Sequence, residues 1–448
     1  MMRSRFALIV PALFLVMASL SGCETVSDLF TSSDSKDKLP GTRISVLALE
    51  RELRPNAEAV DTQIVLPRPE DTVVWPGAGG LSHHAMHHLM IGDAPKRVWT
   101  VAAGEGSNLR NRNFAEPIIA DGKIYTMDAE GVINAFEVAT GKRLWRVRTA
   151  PKRDEDNSFL GGSLCIEQGK LFATTGAAQV VALDAGSGKE LWRTDVPTPI
   201  RAAPTANAGR VFVVTVENEV VALAADTGRR LWNYSGSPTS TILLGGSAPA
   251  VDGGVVVAAL SSGELVALRS DNGSQLWSEN VVAVRRTEAA ASLPDIAARA
   301  VIDRGRVYAV GQSGILAAID LRTGRRLWDV PVAGIYEPWI AGDFLFAITL
   351  DGEAVCIDAR SGRILWVTQL PRFANEKSRK GRIVWAGPAL VSDRLILTGS
   401  NSEALSLSPY SGAVLGRIEL KEPTSLAPVF ANASMYVLDD DGALSAYK

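Results

Sequence analysis

The chain has 448 residues, 46% of them hydrophobic and 21% charged, with 40 glycines. Such a composition can bury a core and excludes a disordered chain, and at about 150 residues per domain the length sets a prior of three domains. Lysine plus arginine number 46 against 49 aspartate plus glutamate, a net charge of −3; this excludes a general nucleic-acid binder, whose footprint is a strong basic excess.

Arg3 and Arg5 precede an apolar run over residues 6–20. Fifteen helical residues at about 1.5 Å each reach roughly 22 Å, short of the roughly 30 Å hydrocarbon layer, so residues 1–22 read as a signal peptide and not as a permanent span. The run ends on Leu20, Ser21, Gly22 and Cys23, which resemble the bacterial lipobox. That resemblance implies processing to an acylated Cys23 at the new N-terminus, and more than one acyl chain gives a stable anchor. Glu24 is not the aspartate that resembles an inner-membrane retention signal, so the implied location is the outer membrane, facing the periplasm.

Residues 23–74 read as a lipid-anchored tether, polar over 27–38. Over 44–53 a short helix and a strand lying on the following domain remain alternatives. Trp75, Pro76, Gly77, Ala78, Gly79 and Gly80 form a turn-rich approach to that domain. The four histidines all follow, as His83, His84, His87 and His88. On a helix they would make i,i+4 pairs of the kind that ligate zinc or copper. No carboxylate or cysteine completes such a sphere, and solvated or locally packed histidines are the favoured reading.

From about residue 95 the chain repeats itself. Each unit is two short apolar strands, an alternating strand such as Val181-Ala182-Leu183-Asp184, a Thr/Ser-Gly turn, and a fourth strand opening on Leu-Trp. The turn and tryptophan recur as Gly141 with Trp145, Gly188 with Trp192, Gly228 with Trp232, and Gly273 with Trp277. Two more copies close on Trp328 and Trp366, while a seventh has Gly416 in place of tryptophan. Glycine supplies the positive φ of the tight turn, and each tryptophan should cover the seam with the next unit. Equivalent first-strand positions at Pro117, Cys165, Pro204, Pro249, Ala300, Pro338, Pro388 and Pro428 give a period of about 44 residues, that of a propeller with four strands per blade. The eighth unit lacks its outer strand, which residues 97–101, carrying Trp99, can supply. The predicted fold is therefore all-β: an eight-bladed β-propeller over residues 75–448, four antiparallel strands per blade, closed by an N-terminal strand joining C-terminal strands. Cys165 and Cys356 then fall in distant blades, and no disulfide is expected between them.

The blades resemble quinoprotein-type eight-bladed propellers, with their Ala-x-Asp-x-x-Thr-Gly-x-x-x-Trp signature. Together with the lipobox, the chain resembles the BamB family, the lipoproteins of the outer-membrane β-barrel assembly complex. The resemblance implies a non-catalytic scaffold, without a cofactor, that binds the periplasmic domains of BamA and aids insertion of outer-membrane proteins, with unfolded barrel clients as further candidate partners. Leu243, Leu244, Gly245, Gly246, Ser247, Ala248 and Pro249 are similar to the family's Leu-Arg-Gly-x-Ser-x-Pro run that contacts BamA, with Leu244 replacing the arginine. Asp295 matches the first acidic residue of a second contact segment, and Ala297 stands where the family has another aspartate. The implied partner-binding residues are thus Leu243, Leu244, Gly245 and Asp295.

Propeller geometry points to a compatible surface. Connections between blades share a face with the turns between second and third strands, and the longest, at 150–162, 279–298 and 369–385, should crowd there; long loops on a rigid ring carry function. For the basic stretch Lys377, Arg379, Lys380 and Arg382 at the margin, an ordinary solvated loop is the favoured reading. The alternatives are a quinoprotein dehydrogenase holding pyrroloquinoline quinone and calcium, and a different periplasmic adaptor or metal-binding propeller. Against the enzyme stand the lack of adjacent cysteines and of an Asp/Glu/Asn cluster with calcium-ligand character.

Overall fold

The computed structural model describes residues 53–59, 62–107, 115–149, 162–239, 246–282 and 296–448. Among the described residues eight four-stranded antiparallel sheets follow one another, seven of them running in chain order from inner to outer strand and the eighth taking its outer strand from before the first repeat. Blade 1 is built from Ile118–Ala120, Lys123–Met127, Val132–Glu137 and Arg143–Arg148. Blades 2 to 7 repeat this plan and end on outer strands Glu190–Asp195, Arg230–Ser235, Gln275–Asn280, Arg326–Val330, Ile364–Gln369 and Val414–Glu419. The second and third strands are buried on both faces because each blade lies between two others. Hence runs such as Val220, Val221, Ala222 and Leu223 are wholly buried, whereas the outer strands alternate exposed and half-buried residues.

The tryptophan and glycine of the repeat meet across the seam. In blade 1 Tyr125, Ala135 and Trp145 lie in one cross-strand column, and the indole donates to Ala185 O of blade 2 at 3.2 Å. A Cβ on Gly188 of blade 2 would lie 2.8 Å from the Trp145 ring. Only glycine tolerates both that approach and the φ of 73° found there. The small residue opposite each indole sits at a bulge, as at Ala135/Phe136 and Ala182/Leu183, which tips the ring toward the neighbouring blade.

Closure follows the expected route. Arg97–Ala102 pairs antiparallel with Ala443–Tyr447 and completes blade 8; Trp99 donates to Val138 O at 3.2 Å and covers Gly141 of blade 1. The missing tryptophan of blade 7 has a matching cause. The outer strand of blade 8 is Arg97–Ala102, which comes from before the first repeat, so no glycine turn joins it to Ala443–Tyr447 to meet an indole at position 416. Cys165 and Cys356 are both free and buried.

The segment read as an approach to the ring proves to be a strap across it. Trp75 exchanges backbone hydrogen bonds with Ile119 at 2.7 and 2.8 Å, and the carbonyls of Pro76, Ser82, His83, Leu89 and Thr72 accept from Ile166, Val251, Ile302, Ser392 and Asn432. Side-chain bonds from Asn207 to Ser82 Oγ and from Trp339 to His87 O complete the set. Residues 72–89 thereby reach the inner region of every blade, satisfying inner-strand groups that a bare channel would leave unpaired. Order also begins before Trp75: Asn56 and Ile364 exchange hydrogen bonds at 2.9 and 2.7 Å, and Ile64 and Leu66 pack on the core. Part of the stretch read as tether thus lies on the ring.

Candidate partner-binding face and central channel

The two ends of the ring differ. One carries the turns between first and second and between third and fourth strands, and the strap closes the channel there. The other carries the turns between second and third strands and, among the described residues, the blade-to-blade connections. Of the three long connections expected on this second face, 369–385 is described throughout. It forms a hairpin, Phe373–Asn375 with Lys380–Arg382, held beside blade 6 by Arg382 donating to Leu350 O. Lys377, Arg379, Lys380 and Arg382 are exposed on it. Beneath lies a cleft of about 150 Å³ lined by Ile335, Tyr336, Ile348, Leu350, Ile383 and Trp385.

Leu243, Leu244, Gly245 and Asp295 lie outside the described residues, as does Cys23. Their flanks are described. Residues 240–245 lie between the outer strand of blade 3 and Ala250–Asp252 of blade 4, and 283–295 between the outer strand of blade 4 and Val301–Asp303 of blade 5. The outer strands of blades 3 and 4 end, and the inner strands of blades 4 and 5 begin, on the second face, at successive seams. Ser247 and Ile296, where the chain re-enters, are buried.

Deeper in the channel is a charged cluster that the sequence reading missed. Arg299 donates to Glu337 Oε2 at 2.6 Å and to Glu116 Oε1 at 2.7 Å, and Glu116 Oε2 accepts from Gly79 N of the strap at 3.1 Å. Burial disfavours the Arg299 charge, but Glu116 and Glu337 outweigh it and hold the guanidinium charged. The signal was present in the repeat. Glu116, Arg299 and Glu337 stand immediately before the first-strand positions Pro117, Ala300 and Pro338, where blades 3 and 4 have Ala203 and Ala248. Those two alanines pack with Ala78 of the strap.

The histidines are not helical, His84 and His87 having φ of 64° and 54°, and His84 and His88 are buried while His83 and His87 are half-buried. His84 Nδ1 donates to Ala300 O at 2.8 Å. Burial, then the charge of Arg299, push its pKa down to about 3, so it is neutral. His88 uses Nδ1 on Pro67 O at 2.6 Å and accepts from Asp393 N at 2.9 Å through Nε2. His87 lies 3.6 Å from Asp303. Among the described residues no group of three metal-ligating side chains forms. The channel interior is taken up by protein, with Trp75, Met86 and Leu89 of the strap buried and Trp75 stacked on Trp339.

Comparison with known proteins places this geometry. The sequence profile of the family described as outer membrane protein assembly factor BamB matches residues 129–368, more than half of the chain. A relative of that name from Marinobacter adhaerens is 27% identical over 161 residues, 35% of this chain; the matched region spans only 38% of the relative. The crystal structure of BamB from Moraxella catarrhalis superposes with a TM-score of 0.66 at 17% identity, covering 79% of this chain and 99% of that one. The quinohemoprotein alcohol dehydrogenase of Comamonas testosteroni gives a TM-score of 0.65 at 12% identity over 84% of this chain and 81% of its own. At such identities the structural likenesses are of fold.

Proposed function

Because the chain belongs to the outer membrane protein assembly factor BamB family, we propose that it is a non-catalytic scaffold of the machinery that inserts β-barrel proteins into the outer membrane. It is held on the periplasmic side by acylated Cys23. Its blade-to-blade face grips the periplasmic domains of BamA through Leu243, Leu244, Gly245 and Asp295. Anchoring and gripping together raise the local concentration of the partner, and of unfolded clients, near the site of insertion.

The observation that carries this reading is that the described strands flanking the two candidate contact segments open onto one face of the ring, at the seams on either side of blade 4, where a rigid ring can present two neighbouring segments to one partner. The scaffold reading is further supported by a channel filled with the strap and the Glu116–Arg299–Glu337 cluster, the place where a propeller enzyme would need room for substrate. The test is co-purification of BamA with Leu243→Asp and Asp295→Lys variants. Desolvated contacts of this kind contribute about 2 kcal/mol or more each, so capture should fall at least tenfold for Leu243→Asp, with melting unchanged. Undiminished capture by both variants would refute the assignment of this surface.

A further inference from the structure

The connection between blades 6 and 7 carries charge that its surroundings do not balance. Over residues 371–385 stand Arg372, Lys377, Arg379, Lys380 and Arg382 against one carboxylate, Glu376, in a chain whose net charge is −3. Elsewhere arginines pair, as Arg148 with Glu130, Arg193 with Glu190 and Arg417 with Glu403. Among the described residues none of these five cations has an ion-pair partner. Glu376 is turned to the backbone, its Oε1 accepting from Arg372 N at 2.9 Å and Phe373 N at 3.1 Å.

An ordered frame holds these charges. Phe373 pairs with Arg382 and Asn375 with Lys380, Ser378 N donates to Asn375 Oδ1 at 3.0 Å, and Trp385 Nε1 donates to Pro371 O at 2.8 Å. The cleft of about 150 Å³ beneath the hairpin is reached over apolar groups: Ile335 and Val384 on its lining are 37% and 43% exposed, above the buried Ile348, Ile383 and Trp385. Asp351 is the one acid on that lining, against Arg372 and Arg382. A cavity of this volume holds one benzene-sized ring, and a cleft rimmed by one sign of charge attracts the opposite sign.

We propose that hairpin and cleft form a docking site for an acidic segment of a polypeptide partner, whose carboxylates meet the five cations and whose phenylalanine ring enters the cleft. A bare anion would satisfy the cations and leave the apolar lining wet; an apolar residue without carboxylates would leave the cations unpaired. Arg372 and Arg382 favour an aromatic over an aliphatic side chain, because a guanidinium is attracted to a ring face. The exposed cations set the rate and salt dependence of encounter, and the enclosed ring sets the lifetime of the complex. The site lies two seams from the nearer candidate BamA contact segment and rests on hairpin and cleft alone, not on the assembly-factor reading.

The test is fluorescence anisotropy of the purified protein with a dye-labelled peptide in which one phenylalanine lies between pairs of acidic residues. The expected result is saturable binding that weakens as salt rises. Alanine in place of the phenylalanine should cost about tenfold or more, and lysines in place of the acids should abolish binding. Lys377→Glu combined with Lys380→Glu changes two exposed side chains and should weaken binding about tenfold with melting unchanged. Ile335→Ser, at the exposed edge of the cleft, should weaken binding without altering its salt dependence. Failure of the peptide to bind, equal binding of the alanine peptide, or full binding to either variant would overturn the proposal. Equal displacement of the peptide by glycerophosphoglycerol, the soluble headgroup of an anionic lipid, would overturn it in favour of a membrane surface. Dimerisation of the parent that the double variant lacks would overturn it in favour of a second copy of the chain. None of these outcomes bears on the effect of Leu243→Asp or Asp295→Lys on BamA capture, so the two readings fail separately.

Discussion

His84 shows how much of the channel depends on single groups. It is buried on the strap against Arg299 and donates to Ala300 O, and that donation is possible for the neutral ring without any compensating anion. In the unfolded chain the same imidazole titrates near 6.5, whereas in the fold it resists protonation down to about 3. Between those values the unfolded state binds the extra proton, so stability is full above the upper value and is lost as pH falls. The slope from this residue reaches about 1.4 kcal/mol per pH unit. Denaturant melts at decreasing pH should therefore flatten in His84→Asn, which keeps a donor and suits the positive φ. An unchanged pH slope would assign the acid sensitivity to other groups. Arg299 is coupled to the same site: its planar fork meets two carboxylates, a geometry that lysine cannot reproduce.

At the scale of the element, the unit of construction is a strand pair joined by a glycine turn and sealed by an indole. Blade 8 borrows its outer strand from residues before the first repeat, and Trp99 does there what Trp145 does in blade 1. If that strand truly closes the ring, Trp99→Ala and Trp145→Ala should cost the same, about 3 kcal/mol each, measured by equilibrium unfolding. A Trp99→Ala variant as stable as the parent would make the strand an ornament. These blades were legible in the sequence because every determinant is local: the Gly-to-Trp spacing, the alternation of small and large apolar residues, and the period itself. The strap was not legible. Residues 72–89 meet the eight blades in turn, through backbone and side-chain groups at unrelated spacings, so no periodicity betrays them. The charged cluster lay between these cases, visible only once the repeats are aligned on Pro117, Ala300 and Pro338. The seam at Gly416 was visible as a departure from the repeat, but its meaning depends on which blade stands next to it.

At the scale of the molecule, the described residues of Leu53–Lys448 form one compact unit in which strap, closure strand and eight sheets all oppose opening of the ring. A body of this kind suits holding other proteins in fixed geometry, and its channel is taken up by the strap and the charged cluster. The candidate contact residues came from resemblance to a family motif and not from physical pattern; Leu243, Leu244, Gly245 and Asp295 carry no periodic or electrostatic signature of their own. Anchor, ring and contact face together make one claim, that the chain promotes assembly of outer-membrane barrels without doing chemistry. The most direct measurement is the amount of folded, heat-modifiable barrel protein in outer membranes of cells lacking the chain, with dye-linked alcohol oxidation assayed in parallel after addition of quinone and calcium. The expected result is a fall in folded barrels, restored by the parent chain and not by Cys23→Ala, with oxidation unchanged throughout. Normal barrel content in the deleted cells, with oxidation lost, would contradict the account.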